Sequence, residues 1–318
     1  MPDIAERAPV PAFLAPVGAR ERKPKWIVAW FFLGCALSFA GTAALGVILG
    51  VVSPQFLAIF SDMEPVPEGV NRLWLEVPFM GVLALVLTMT AGSFVLAASA
   101  CFQRPMSSFL AVRRPKLTLA LAGFVTLGAL VLGSVWVESV LTGERLSPPV
   151  LDVGWPLASR LAYAAAAAPL LLIAAAAEEA FCRGVLLQIS GAFSRRILVL
   201  SAINGLIFAA VHVDPDPAAF IARGLSGFLF AWATLRLGGL EFAVGAHWAN
   251  NLALAWFFQP FSEAAQPGQG YPPVFLVADV TTTLVAVAVI ELLARRVSAS
   301  AAAAPTPAAP PADHEAPT

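Results

Sequence analysis

Residues 160–188 read RLAYAAAAAPLLLIAAAAEEAFCRGVLLQ. From Leu161 to Ala177 no residue carries a charge, and then Glu178, Glu179 and Arg183 arrive within six positions. A helix rises about 1.5 Å per residue and the hydrocarbon core of a bilayer is about 30 Å thick. This run is therefore a transmembrane helix with three ionisable side chains inside it. Each costs about 3 kcal/mol at mid-bilayer on insertion scales, so the three need partners or a task.

The rest of the chain repeats the apolar theme. Of 318 residues, 59% are hydrophobic and 12% charged, against about 25% charged in soluble domains. Such a composition cannot cover a water-facing surface. Eight apolar segments lie near 26–52, 77–101, 117–141, 160–188, 197–212, 218–235, 240–258 and 273–294. The fifth and sixth look short for a full crossing. The spacing predicts an all-α, polytopic membrane protein of about eight transmembrane helices. Threading them from a cytoplasmic N-terminus puts thirteen Lys/Arg residues, counted from Arg20 onward, on the cytoplasmic side and three (Arg72, Arg145, Arg160) opposite. That asymmetry follows the positive-inside rule and places both termini in the cytoplasm. Residues 1–25 and 297–318, rich in Pro and Ala, read as flexible tails. The region 26–157 reads as three N-terminal helices, and 158–296 as a five-helix unit that carries the chemistry. No cleaved signal peptide precedes the first apolar segment, which starts only at Trp26 after a basic cluster.

Several classes drop out. A net charge of −1, with no basic stripe, gives no nucleic-acid footprint. Cys35, Cys101 and Cys182 are far apart, so neither a disulfide framework nor a zinc knuckle is supported. Gly46 and Gly50 form a GxxxG in the first segment, suited to a close helix contact.

Polar residues inside the apolar segments cluster in three places: Glu178, Glu179 and Arg183; then Asn204, Phe208 and His212; then His247 and Asn251. A spacing of four puts Glu179 with Arg183, and His247 with Asn251, on one helix face. Glu178 is turned about 100° from Glu179 and is free to point elsewhere. Glu178 and His212 lie at comparable depths on either side of the turn at 190–196. Arg223, Asp279 and Glu291 lie nearer segment ends, where local pairing or snorkelling accounts for them.

A carboxylate, two imidazoles and an amide make a hydrolytic set. The carboxylate can take a proton from water, and N–H groups can stabilise an oxyanion. The same Glu178, His212 and His247 also match a zinc donor set, although the HExxH helix of the familiar zinc peptidases is absent. Serine catalysis lacks its GxSxG elbow. Two other readings use these residues without hydrolysis: a proton-coupled transporter, and a non-catalytic immunity or scaffold protein.

The motifs EExxxR (Glu178, Glu179, Arg183), FxxxH (Phe208, His212) and HxxxN (His247, Asn251), in that order, resemble those of the CAAX-processing and bacteriocin-processing (CPBP) intramembrane protease family. The resemblance covers about residues 160–258. It implies an eight-helix fold with the site inside the membrane, no required cofactor beyond a possible zinc, and a membrane-associated peptide or protein as substrate. It further implies that Glu178 and His212 activate water while His247 and Asn251 stabilise the oxyanion. Cys182 stands where many bacterial members place an aromatic residue. An Ala-rich chain of this kind points to a bacterial plasma membrane.

Overall fold

The computed structural model describes residues 10–60, 72–143, 148–258, 271–273 and 275–302. Each apolar segment forms a helix of its own: α1 (Pro24–Val52), α2 (Arg72–Phe102), α3 (Leu117–Thr142), α4 (Leu157–Gly191), α5 (Ile197–Val211), α6 (Pro217–Leu237), α7 (Glu241–Phe257) and α8 (Phe275–Ala302). No strand occurs among the described residues. In lipid a helix pairs its backbone donors and acceptors within itself, which is why segments so rich in Ala and Leu adopt this form. The chain is an all-α polytopic membrane protein.

Six helices, α1, α2, α3, α4, α6 and α8, are long and apolar enough to cross a membrane by length and composition. The other two, α5 with 15 residues and α7 with 17, rise about 23 and 26 Å. The short pair is thus the fifth and seventh helices rather than the fifth and sixth, since α6 has 21 residues. The seventh is short because its entry turn lies inside the protein: Gly238, Gly239 and Leu240 are all buried. Gly238 closes α6 with φ of 72°, a left-handed conformation that glycine adopts without steric cost.

Pairwise packing runs α1 on α2, α2 on α4, α4 on α7, α7 on α3, α5 on α6 and α6 on α8. Where α3 crosses α7 the backbones nearly touch. A Cβ on Gly245 would overlap the Ala120 carbonyl, and one on Gly123 would overlap the Phe242 carbonyl. Between apolar helices in lipid, such close approach by small residues supplies the association energy. Replacing Gly245 by leucine is expected to cost at least the 1–3 kcal/mol of an overpacked interior, read as a lower unfolding temperature of the purified protein. Gly46 behaves differently, because nothing lies within 4 Å of a Cβ built there; the GxxxG of α1 seats no contact at that position among the described residues.

Parts of both segments read as loose from composition have defined structure among the described residues. Helix α8 continues to Ala302, and residues 303–318 lie outside the described residues. Residues 10–23, expected as part of a loose tail, are packed. Phe13 and Leu14 are fully buried, and Leu14 sits with Leu187, Leu200, Ala231 and Leu235 of α4, α5 and α6. The buried Glu21 pairs with Arg104 Nε at 3.1 Å, and Arg104 Nη2 donates to Gln188 Oε1 at 2.8 Å. Burial pushes the Arg104 guanidinium below its ordinary range, and Glu21 opposes that shift. Two apolar side chains in a polar, Pro-rich stretch are enough to dock it.

Candidate active site

The site is built on α4, α5, α6 and α7. Helix α4 widens just after Glu179: residues Ala180–Leu186 form a π-helical turn, an irregularity that collects at functional sites. Glu179 and Arg183 are both fully buried, and Arg183 Nη1 donates to Glu179 Oε1 at 2.9 Å, as their spacing predicts. Arg183 Nη2 donates to the Gly227 carbonyl at 3.1 Å. Its guanidinium carbon lies 4.4 Å from the Phe208 ring centroid and 5.2 Å from that of Phe230, within cation–π range. Gly227 has no room for a side chain, since a Cβ there would lie 2.9 Å from Gly205 Cα. This close α5–α6 crossing delivers the Gly227 carbonyl to the arginine.

His247, on α7, meets the same carboxylate. Its Nδ1 lies 2.8 Å from Glu179 Oε1, and its Nε2 lies 3.6 Å from Glu178 Oε2. The ring stacks on Phe230 at 5.3 Å and 22° and meets Phe208 edge-on at 5.9 Å. The two adjacent glutamates therefore live in different surroundings. Glu179 is closed in by Arg183 and His247, whereas the Glu178 side chain keeps 22% of its exposure.

His212 closes α5, with Nδ1 2.7 Å from the Phe208 carbonyl and its ring 4.7 Å from that of Phe208. The local carbonyl holds one ring nitrogen and leaves Nε2 for chemistry. Asn251 is half-buried one turn beyond His247 and accepts from Asn250 Nδ2 at 3.2 Å. Of the six residues singled out from sequence, Glu178, Glu179, Arg183 and His247 form one connected group. His212 joins it through Phe208. Asn251 makes no hydrogen bond with the other five among the described residues. Phe230 and Gly227 carried no ionisable signal, so sequence reasoning passed over them; only the stacking and carbonyl contacts reveal their part.

As to a metal, no group of three or more His, Cys, Asp or Glu side chains among the described residues is arranged to hold one. Glu178, His212 and His247 do not converge as a three-ligand set, and each histidine already commits Nδ1 to a protein oxygen.

Of the residues expected to pair locally or snorkel, Arg223 and Asp279 find partners close in sequence, whereas Glu291 finds its partners on α6. Arg223 bonds Asp214, Asp279 accepts from the Tyr271 hydroxyl at 2.7 Å, and Glu291 takes Arg236 Nε at 2.6 Å and Trp232 Nε1 at 2.9 Å. Beside the site, Asp216 caps α6 by accepting from Ala218 N and Ala219 N and also takes Tyr271 N at 2.8 Å. The Tyr271 N–H first, then those of Ala219 and Ala218, hold its carboxyl below the usual range. A depressed carboxylate stabilises the fold above its unfolded pKa of about 3.9, and that contribution is lost as pH falls through the folded value. The unfolding temperature of Asp216→Ala is accordingly expected to lie below wild type at neutral pH and to approach it in acid.

Residues 160–253 match the model of the type II CAAX prenyl endopeptidase Rce1-like family. The Rce1-like segment starts in α4, ends in α7 and holds all six candidate residues, so the resemblance read from the three motifs is borne out there. A Bacillus subtilis (strain 168) protein, described as uncharacterized protein YyaK, is 35% identical over 107 residues, 32% of this chain and 35% of the relative. The chain thus matches about a third of the length of that curated relative.

Proposed function

We propose that the protein is an intramembrane endopeptidase that hydrolyses a peptide bond in a membrane-associated peptide or protein, with Glu178 activating the water. One observation carries the reading: two neighbouring carboxylates are divided between a closed ion pair at Glu179 and an accessible, lightly held side chain at Glu178. The Rce1-like match over residues 160–253 supports peptidase chemistry for the same helices.

In this mechanism Glu178, assisted by His212, takes a proton from water as the oxygen adds to the scissile carbonyl carbon. The tetrahedral oxyanion needs donors. His247 has Nδ1 against Glu179, so a neutral ring that donates there offers only a lone pair at Nε2. Donation to an oxyanion from Nε2 then calls for the imidazolium, and Glu179 is the counter-charge that supports it. Asn251, one turn on, offers Nδ2, because its bond to Asn250 uses only Oδ1. Collapse of the intermediate breaks the C–N bond as the proton held by Glu178 passes to the leaving nitrogen. Residues 158–296 would form the catalytic unit, set in a plasma membrane with both termini cytoplasmic.

The test compares protein N-termini across the proteomes of cells carrying wild type and Glu178→Ala at equal, inserted levels. The proposal expects a set of termini present only with wild type. Identical sets of termini would sink it, in favour of a scaffold or transport role for the same fold.

A further inference from the structure

The polar row on α5 has one member that the mechanism does not use. Asn204 is fully buried in the middle of a 15-residue apolar helix, where asparagine has poor helix propensity and a polar amide is costly without a partner. Its Nδ2 donates to the Cys182 carbonyl at 2.9 Å. That carbonyl is not an ordinary one. It belongs to the π-helical turn Ala180–Leu186, and it also accepts the N–H of Leu187, five residues on. A π-turn inserts one extra residue into a helical turn. The position of Glu178 and Glu179 relative to the C-terminal end of α4 at Gly191 therefore depends on the turn being kept. The next members of the α5 row are Phe208, packed under Arg183, and His212.

We propose that Asn204 is a positioning residue, which pins the register of α5 on the π-turn of α4 and so sets His212 against Glu178. The catalytic consequence rests on the hydrolytic reading above; the register pin itself does not. Between apolar helices in lipid a buried hydrogen bond adds a directional contact to the packing, and so is suited to fix their offset. Loss of it frees the Cys182 carbonyl to return to α-helical bonding and lets α5 shift along α4.

The chain has three histidines, which makes imidazole nitrogen resonances a sparse readout. The experiment uses the full chain in lipid nanodiscs with ¹⁵N-labelled histidine, comparing wild type with Asn204→Leu and Asn204→Asp from acid to alkaline pH. Leucine keeps the branched shape of the side chain, with somewhat more volume, and donates nothing. Aspartic acid can donate to a carbonyl only while protonated. The expected result is that Asn204→Leu displaces the His212 and His247 resonances at every pH. Asn204→Asp should match wild type in acid and match Asn204→Leu once ionised. Resonances of Asn204→Asp that still follow wild type after the new carboxyl has ionised, its ionisation read from the carboxyl infrared band, would overturn the proposal, even if the leucine variant failed to insert. On a substrate found with wild type, Asn204→Leu should lower turnover on the order of 100-fold at unchanged KM, the effect of a misplacement of about 1 Å; unchanged turnover would also overturn it. Asn204-dependent resonances in a protein that cleaves nothing would support the pin and remove the peptidase reading instead.

Discussion

Glu178→Gln is expected to remove at least 100-fold to 10,000-fold of the cleavage rate, the usual contribution of a positioned general base, while the protein stays folded. The change is nearly isosteric, and among the described residues the ion-pair contact of Glu178 is a long one, with His247 Nε2 at 3.6 Å. Little structure therefore depends on it. A glutamine in its place cannot accept a proton from water, so the loss falls on turnover rather than on substrate affinity. Steady-state cleavage by purified protein, with unfolding temperature as the control, measures both halves of this expectation.

Arg183→Leu should do the reverse and strike the fold. The Glu179–Arg183 pair is fully buried, and removing one member of such a pair leaves an uncompensated charge at a cost of about 3–5 kcal/mol. Here the stranded carboxylate would keep only His247 as a partner, and the Gly227 carbonyl would lose its donor. Far less inserted, monodisperse protein is expected after extraction. The double variant Glu179→Leu/Arg183→Leu removes both charges and should recover much of the folded yield, because an apolar replacement of a whole buried pair is often neutral. It should not recover cleavage, since His247 would lose the carboxylate that orients it. Fluorescence-detected size exclusion reports the yields side by side.

The sequence made much of this visible through physics that is local. Eight apolar runs became eight helices because lipid demands internal backbone pairing. The spacing of four between Glu179 and Arg183 became a 2.9 Å bond because both lie on one helix face. Arg223 and Asp279 found partners close in sequence, as end-of-helix charges do. The features that stayed hidden depend on how distant segments meet. The π-turn carries Gly184, whose missing side chain lets the Phe109 carbonyl approach, but a single glycine in an apolar helix does not announce a π-turn, and the turn is held partly from α5. The choice of Glu179 rather than Glu178 as the close partner of His247 depends on the depth of α7, which a buried turn at 238–240 sets. The docking of residues 10–23 rests on Phe13 and Leu14 against several helices at once, while their neighbours read as a loose tail. Asn251 shares a helix face with His247 by spacing, yet among the described residues its side chain hydrogen-bonds to its own neighbour, Asn250.

The central claim is that adjacent glutamates have different jobs, Glu178 chemical and Glu179 structural. The most direct measurement places Glu178→Gln and Glu179→Gln beside wild type, reconstituted in liposomes with one substrate peptide, and records cleavage rate and unfolding temperature for each. The account predicts that Glu178→Gln unfolds with wild type but does not cleave, whereas Glu179→Gln unfolds at a clearly lower temperature. A Glu178→Gln protein that still cleaves, or a Glu179→Gln protein as stable as wild type, would contradict it.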